Sequence, residues 1–288
     1  MSASNLPKEG AAANPAGRIY CDIHRTRKGG GGFKITFTTD GVTFREANDF
    51  TELSALTGDS VFVDTLPLNH TDKAVDLLRR GVEVYYLRRL TLLMRKREEL
   101  GLSSKSAKSD IKAPMAIGDK WFRRVSEDFL VMRRMIAGYR SLNKSHQQLL
   151  NKSKALSEYE RDALKPAIKI IEEQMSKLAT EIAGEAGKRY PDYNKLVDVL
   201  GIAGNPTALE ALAEVLLPEW RSWSRIRAYF GAYPRQGQTR YHKSKEGRRA
   251  LERLTISVKG SIKTADDLDD VLKRIWLTLK AQKAGPPA

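Results

Sequence analysis

The sequence has a single cysteine, Cys21, and no apolar run approaching the 18 or so residues that cross a bilayer. One cysteine excludes an internal disulfide and is typical of a reducing compartment. The first residues also lack the apolar core of a signal peptide. We therefore expect a cytoplasmic protein without a membrane segment, in which residues 1–17 and 283–288 are loose tails.

Acidic residues are scarce relative to basic ones, because 50 Lys and Arg stand against 35 Asp and Glu, for a net charge of +15. Such an excess favours a polyanionic partner. No amphipathic stretch stands alone as a membrane anchor, so we expect DNA and/or structured RNA, and with it association with the nucleoid. The hydrophobic share of 41% is sufficient for two domain cores at roughly 100–200 residues each.

Strand and helix patterns alternate after the first 17 residues. Branched and aromatic residues at 18–24 predict a strand, and period-two alternation at 33–39 leading into Asp40-Gly41 predicts a hairpin that returns at 42–44. The next predicted elements are a helix at 48–56, a strand at 60–64, a helix at 71–80 and a strand at 82–87. A meander followed by alternating helices and strands is an α/β layer, in the order of the ribonuclease H-like fold. We expect this domain over residues 18–119.

Two predicted strands end on an acid. Asp22 lies near the end of the first strand, and Asp64 ends the strand at 60–64. In a ribonuclease H-like sheet these strands are adjacent and central, so the two carboxylates can converge and offer hard oxygen ligands to Mg²⁺. The alternative is that each aspartate ends its strand beside a turn and has no further role.

Residues 90–119 are basic and are expected to be partly loop, whereas two heptad patterns after Pro114 predict long helices. The first pattern comprises Phe122, Val125, Phe129, Met132, Ile136 and Tyr139, continued by Asn143, His146 and Leu150. A capping box at 157–160 opens the second helix, in which Pro166 predicts a kink or a restart. The second pattern comprises Leu164, Ile168, Ile171, Met175, Leu178 and Ile182.

Two such helices predict an antiparallel helical arm over residues 120–190, and we expect a homo-oligomer assembled through it. Two core helices of a compact bundle, or a single arm that dimerises, would give the same pattern.

The C-terminal part, expected to be an all-helical domain over 191–282, combines glycine turns with a basic run. Residues 201–208 form a glycine-flanked turn that opens a helix, a helix-hairpin-helix pattern whose backbone N–H groups suit a phosphate. A plain helix-helix corner is the alternative. The candidate residues of this turn are Gly201, Gly204, Asn205 and Thr207. Basic residues after the aromatic segment 220–230 are candidate phosphate contacts, although a solvated helix face would look the same. These candidates are Arg235, Arg240, Lys243, Lys245, Arg248 and Arg249.

These pieces, in this order, resemble insertion-sequence transposases with an N-terminal RuvC-like acidic domain, a family that includes pilin-inversion and bridge-RNA-guided recombinases. The resemblance extends over roughly residues 18–255. Its N-terminal motifs are short, as in Val-Phe-Val-Asp at 61–64. The more specific ones are Gly-Ile-Ala-Gly at 201–204, Ala-Tyr-Phe-Gly-Ala-Tyr-Pro at 228–234 and Lys-Glu-Gly-Arg-Arg-Ala-Leu at 245–251.

The resemblance implies a RuvC-like Asp-Glu-Asp-Asp site for Mg²⁺, a helical arm, a C-terminal serine nucleophile, and DNA and guide RNA as ligands. By position, Asp22, Asp64 and Asp110 would be the first three acids, catalytic and metal-binding. The fourth is expected three residues after Asp110, where Ala113 stands instead. Asp119 is the nearest later acid.

The position of the family's serine aligns with Gln236, which has no nucleophilic oxygen, although Thr239 and Ser244 are nearby hydroxyls. Two-metal chemistry needs a full ligand set. These departures favour a nucleic-acid-binding protein related to transposases, with reduced or lost recombinase activity. The alternative is an active Mg²⁺-dependent recombinase or junction nuclease acting in DNA recombination, in which Asp119 and one of the two hydroxyls have taken over. A third hypothesis is a helical scaffold whose charge serves only solubility.

Overall fold

A computed structural model of the protein describes residues 17–25, 33–53, 60–102, 106–218, 220–232 and 244–283. The chain divides into two compact units between Leu130 and Val131. The first contains a six-stranded mixed sheet with helices, and the second contains helices and no strand among its described residues. The expected combination of an α/β part and an α part is thereby confirmed.

The sheet has the strand order β3-β2-β1-β4-β5-β6. Its strands are β1 (Arg18–Arg25), β2 (Phe33–Thr38), β3 (Arg45–Ala47), β4 (Ser60–Val63), β5 (Glu83–Leu87) and β6 (Phe122–Arg124). Strands β1, β4 and β5 are parallel, whereas β2 and β6 run antiparallel to their neighbours β1 and β5. The predicted return strand at 42–44 was placed too early, because the Asp40 carboxylate accepts hydrogen bonds from the backbone N–H groups of Val42 (2.8 Å) and Thr43 (2.7 Å) and extends the turn.

Among the described residues, the first unit also contains the helices α1 (Phe50–Leu53), α2 (Thr71–Arg79), α3 (Leu90–Glu99) and α4 (Ala107–Met115). Side chains alternate between the two faces of the sheet. Tyr20 and Phe62 stack on one face with ring centroids 5.0 Å apart, and Ile111 of α4 packs into the same cluster. Helix α2 packs against β5.

Residues 90–119 were expected to be partly loop, and the structure adds two helices there, α3 and α4, that the sequence analysis did not predict. Ser106 and Ser109 form a capping box in which each hydroxyl accepts from the backbone N–H of the other residue, at 3.2 and 3.0 Å. Pro114 lies inside α4 and does not start a long helix. Phe122, assigned to a helical heptad, belongs to β6.

The two long helices are α5 (Glu127–Ser153) and α6 (Glu158–Arg189). They run antiparallel, because Gly138 faces Leu178 whereas His146 Nε2 lies 2.9 Å from Glu172 Oε1. The predicted capping box opens α6, and α6 continues through Pro166 without the restart that was one predicted outcome.

The remaining helices are α7 (Tyr193–Leu200), α8 (Pro206–Leu216), α9 (Trp223–Phe230), α10 (Lys245–Lys259) and α11 (Ala265–Lys283). Helix α8 is the centre of their core, since every residue from 210 to 216 is buried. Met132 and Ile136 of α5 and Ile182 of α6 share this core. The hairpin is therefore part of a bundle at its base, whereas its far half exposes both helices. No helix in the described ranges is long and apolar enough to cross a membrane.

Candidate functional site

Asp22 and Asp64 lie side by side in the sheet, as the strand pattern predicts. Cys21 of β1 is paired with Val63 of β4, and each aspartate is the next residue of its chain segment. Adjacent strands are about 4.8 Å apart, so two side chains at the same level of parallel strands share one face and one edge. Asp22 is buried, and Asp64 accepts a hydrogen bond from the backbone N–H of Thr65 at 2.6 Å.

Polar residues of β2 and β3 lie on the same face of the sheet as Asp22. Thr36 of β2 is paired with Asp22 across the sheet and is buried. Its hydroxyl lies 2.9 Å from His24 Nε2, and Lys34 Nζ donates to Glu46 Oε2 at 2.8 Å. The same period-two alternation that predicts the hairpin places these side chains on the face of Asp22, a consequence that the sequence analysis did not draw.

The acids at this edge are close enough to act on one another. Burial raises the pKa of Asp64 above its usual value; the hydrogen bonds from Thr65 oppose this, and the negative charge of Asp110 adds to it. Burial also raises the pKa of the Cys21 thiol, as do the charges of Asp64 and Asp22. A buried thiol of raised pKa is a poor nucleophile, so Cys21 is a core residue.

Asp110 already forms an ion pair with a cationic side chain of the protein itself. It lies in the first turn of α4, and its Oδ1 forms an ion pair with Nη1 of Arg97 on α3. The two side chains are only 13% and 15% exposed. In the part of the chain that the structure describes, no three His, Cys, Asp or Glu side chains are grouped so as to hold a metal ion. The predicted three-acid site is thus two adjacent aspartates and a third that is neutralised by arginine.

Neither position considered for a fourth acid brings a carboxylate to this edge. Ala113, one turn after Asp110, is fully buried in the core, where a carboxylate would lose its hydration without gaining a partner. Asp119, the other candidate, accepts two hydrogen bonds from Arg18 at 2.8 Å each. Arg18 starts β1, four residues before Asp22, which is about 13 Å along a strand. The structure does not bring Asp119 to the aspartate pair.

In the helical unit, the glycine turn joins α7 to α8. Gly201 and Gly204 have φ of +64° and +78°, and Asn205 caps α8 by accepting from the backbone N–H of Ala208 at 3.1 Å. The hydroxyl of Thr207 is hydrogen-bonded to that of Tyr139. The side chains of Asn205 and Thr207 therefore hold the turn together, which leaves backbone groups as its means of contacting a phosphate.

The structure places Arg248, a predicted phosphate contact, in the packing between α9 and α10. Its side chain is buried at 7% exposure. Nη1 donates to the carbonyl oxygens of Phe230 (3.2 Å) and Gly231 (2.7 Å), and Nε donates to Glu252 at 2.8 Å. Arg248 thus satisfies carbonyl groups at the C-terminus of α9, a role that helix ends require.

Close packing against Tyr229 explains why position 247, directly before this arginine, is a glycine. A side-chain carbon at this position would lie 2.8 Å from the ring of Tyr229, closer than atoms in contact can approach. Ser244 caps α10 by accepting from the backbone N–H of Gly247 at 3.0 Å, so this hydroxyl is used as a helix cap. The stretch at 245–251 resembles the family motif, and its described contacts pack α10 against α9.

Other cations of this region are exposed to solvent, unlike Arg248. Lys245 and Arg249 are exposed, with Arg249 Nη1 3.5 Å from Glu246. Arg225 of α9 is exposed as well, and the sequence analysis missed it because it lies among tryptophans. The other predicted contacts and hydroxyls between the two helices lie outside the described residues: Arg235, Gln236, Thr239, Arg240 and Lys243.

A buried charge cluster joins three helices of this unit. Arg253 Nη2 of α10 donates to Glu210 (2.7 Å) and Glu214 (3.1 Å) of α8, and Arg140 Nε of α5 donates to Glu214 at 3.1 Å. Burial raises the pKa of Glu210, against the attraction of Arg253. Within the described ranges, Glu210 Oε1 is buried without a hydrogen-bond partner. The cluster ties α5 to the C-terminal helices.

Two features thus remain as candidate sites: the polar edge with Asp22 and Asp64, and the exposed cations of α9 and α10. Each is defined by the contacts given above. No protein-family model matches the chain, and no match was found among curated proteins.

Proposed function

We propose that the protein binds DNA or structured RNA through its helical unit, as a relative of transposases whose recombinase activity is reduced or lost. The observation that carries the proposal is the charge of this unit. Val131–Ala288 contains 29 Lys and Arg against 18 Asp and Glu, so most of the net charge of +15 belongs to it. Clustered Lys and Arg bind the phosphate backbone by releasing its counterions.

The contact surface proposed here lies on α9 and α10. Arg225, Lys245 and Arg249 are exposed on these two helices, which pack against each other. Other cations of the region serve the fold: Arg248 holds the end of α9, and Arg253 is paired with buried glutamates. The cations of this region that face solvent are therefore a smaller set than the whole basic run. The glycine turn at 201–205 would add backbone N–H groups.

The relation to RuvC-like and ribonuclease H-like domains is supported by the sheet. The antiparallel β1–β2 hairpin is followed by parallel β4 and β5, and one aspartate lies on β1 while another directly follows the adjacent strand β4. Reduced catalysis is supported by the ion pair of Asp110 with Arg97 and by the buried Ala113. A two-metal mechanism needs ligands that clamp both the attacking and the leaving oxygen.

The experiment that tests binding compares two double variants that remove the same charge. Arg225→Ala/Arg249→Ala removes two exposed cations of α9 and α10, whereas the control Lys165→Ala/Lys169→Ala removes two exposed cations of α6. Fluorescence anisotropy with a labelled DNA duplex and a labelled RNA hairpin gives each Kd. We expect the first variant to weaken binding by about tenfold or more and the control to change it by less than about threefold. Equal effects would remove α9 and α10 from the proposal.

A second candidate function is an active Mg²⁺-dependent recombinase or junction nuclease, and the adjacent Asp22 and Asp64 favour it. Asp22 and Asp64 would then hold the ion, which would activate a water and stabilise charge on a phosphate. Its test is cleavage or strand exchange of branched DNA in Mg²⁺, with Asp22→Asn compared with Asp119→Asn. Activity that only the first variant abolishes would support this function, whereas our proposal expects little or no activity.

We also propose that the protein forms a homo-oligomer through the helical arm. On the outer face of α6, Tyr159 is 85% exposed and Ile170 58% exposed, eleven residues or three turns apart. Large exposed apolar side chains on one helix face support association. Light scattering of the wild type and of Ile170→Lys tests it, since a dimer should dissociate in the variant. A wild-type monomer would contradict the proposal.

A further inference from the structure

The ion pair between Arg97 and Asp110 differs from the surface ion pairs of the same unit. Both of its side chains are mostly buried, whereas in the Arg79–Glu127 pair the arginine is 62% exposed. Asp110 lies close enough to Asp64 for the charge of one to act on the other. Helix α4, which contains Asp110, packs against β1, the strand of Asp22, so the ion pair lies on the sheet face that carries both aspartates.

We propose that Arg97 is a fixed cation in the place that a metal ion would take beside Asp110, and that it keeps divalent cations from the edge formed by Asp22, Asp64 and Asp110. An arginine stays charged at every pH at which proteins fold, and its planar donors match a carboxylate. This inference deepens the proposed loss of catalysis and does not depend on nucleic-acid binding.

Two physical terms act against a divalent cation at this edge. The positive charge of Arg97 repels the ion over a few ångströms of partly buried space, where screening by water is weak. An ion that took Asp110 as a ligand would also have to separate Asp110 from Arg97, and breaking a buried ion pair is costly. Removing Arg97 relieves both terms and frees one more carboxylate.

The experiment titrates Mn²⁺ into the full chain, stripped of nucleic acid by high salt, and follows free Mn²⁺ by electron paramagnetic resonance. The variants are Arg97→Gln, Arg97→Gln/Asp110→Asn and, as a matched control on the same unit, Arg79→Gln. We expect the wild type and the control to bind Mn²⁺ weakly. Arg97→Gln should bind about tenfold more tightly or better, because a repelling unit charge is lost. The double variant should lose that gain.

Three outcomes would overturn the inference. The first is a wild type that binds Mn²⁺ as tightly as Arg97→Gln, and this measurement needs no variant to fold. The second is a folded Arg97→Gln, judged by circular dichroism, without any gain in affinity. The third is a gain that Asp110→Asn does not remove. Because no DNA or RNA is present, each of these results leaves the proposed nucleic-acid binding standing, and failure of that binding leaves this inference standing.

Discussion

Replacing Arg248 by alanine distinguishes between two roles for this residue: structural contacts within the helical unit and a contact with phosphate. In the structure this arginine is buried and donates to the carbonyl groups of Phe230 and Gly231 and to Glu252. If it acts through these contacts, Arg248→Ala lowers the stability of the helical unit. Arg249→Ala is the matched control, because Arg249 is the next residue, carries the same charge and is 56% exposed.

The expected size follows from what the substitution leaves behind. A hydrogen bond to a charged group contributes about 1.5–3 kcal/mol, and two carbonyls at the end of α9 lose such a donor. Glu252 is partly exposed and regains water, so its lost bond adds little. We expect Arg248→Ala to lower the free energy of unfolding by about 3 kcal/mol. Arg249→Ala should change it by less than about 0.5 kcal/mol, as is usual for an exposed position.

Tryptophan fluorescence in urea is a suitable assay for this unit. Three of the four tryptophans lie in it, and Trp220 and Trp223 both contact the ring of Trp276. The variant should shift the midpoint to lower urea with an unchanged slope. The reasoning is refuted if Arg248→Ala unfolds like the wild type and weakens DNA binding more than Arg249→Ala does.

Four further substitutions test individual contacts of the helical unit. Gly247→Ala should cost about 1–3 kcal/mol of unfolding free energy, because its new carbon meets the ring of Tyr229, whereas Gly184→Ala, on an open helix face, should be neutral or stabilise by up to about 1 kcal/mol. Asn205→Ala should cost about 1 kcal/mol through the lost cap of α8, and an unchanged urea midpoint would contradict that role. Burial raises the pKa of Glu210 to about 8, so the folded state holds a proton that the unfolded state releases above its ordinary value of 4.5. The free energy of unfolding should therefore fall as pH rises from about 4.5 to about 8. Urea titrations at these two pH values should show a smaller fall for Glu210→Gln than for the wild type.

Local sequence signals were sufficient for much of the sheet and for the hairpin of long helices. A run of β-branched and aromatic residues predicted β1, and period-two alternation predicted β2. The acid that follows Val63 falls beside Asp22 because β1 and β4 are parallel. The capping box at the start of α6 is a local pattern of side chain and backbone, so four residues were enough to predict it.

Other elements depend on partners that the local sequence does not reveal. Helix α3 has no buried residue and so lacks the apolar period by which helices are predicted. Strand β6 contains Phe122 and two arginines, and it is a strand because it pairs with β5.

The arginines show the same limit at the candidate sites. Arg248 lies 17 residues from Gly231, and Arg97 lies 13 residues from Asp110. The sequence shows only that a residue is arginine. It does not show whether that arginine caps a buried carbonyl, neutralises an aspartate or contacts a phosphate. Only the fold distinguishes them.

The salt dependence of wild-type binding to a DNA duplex tests the central claim most directly. If Arg225, Lys245 and Arg249 each neutralise one phosphate, the logarithm of the binding constant should fall against the logarithm of salt concentration with a slope of about −2.7 or steeper. A titration by fluorescence anisotropy between about 50 and 200 mM salt covers the range in which such a loss is measurable. A flat slope, or no binding to duplex DNA and structured RNA at the lowest salt, would contradict the account.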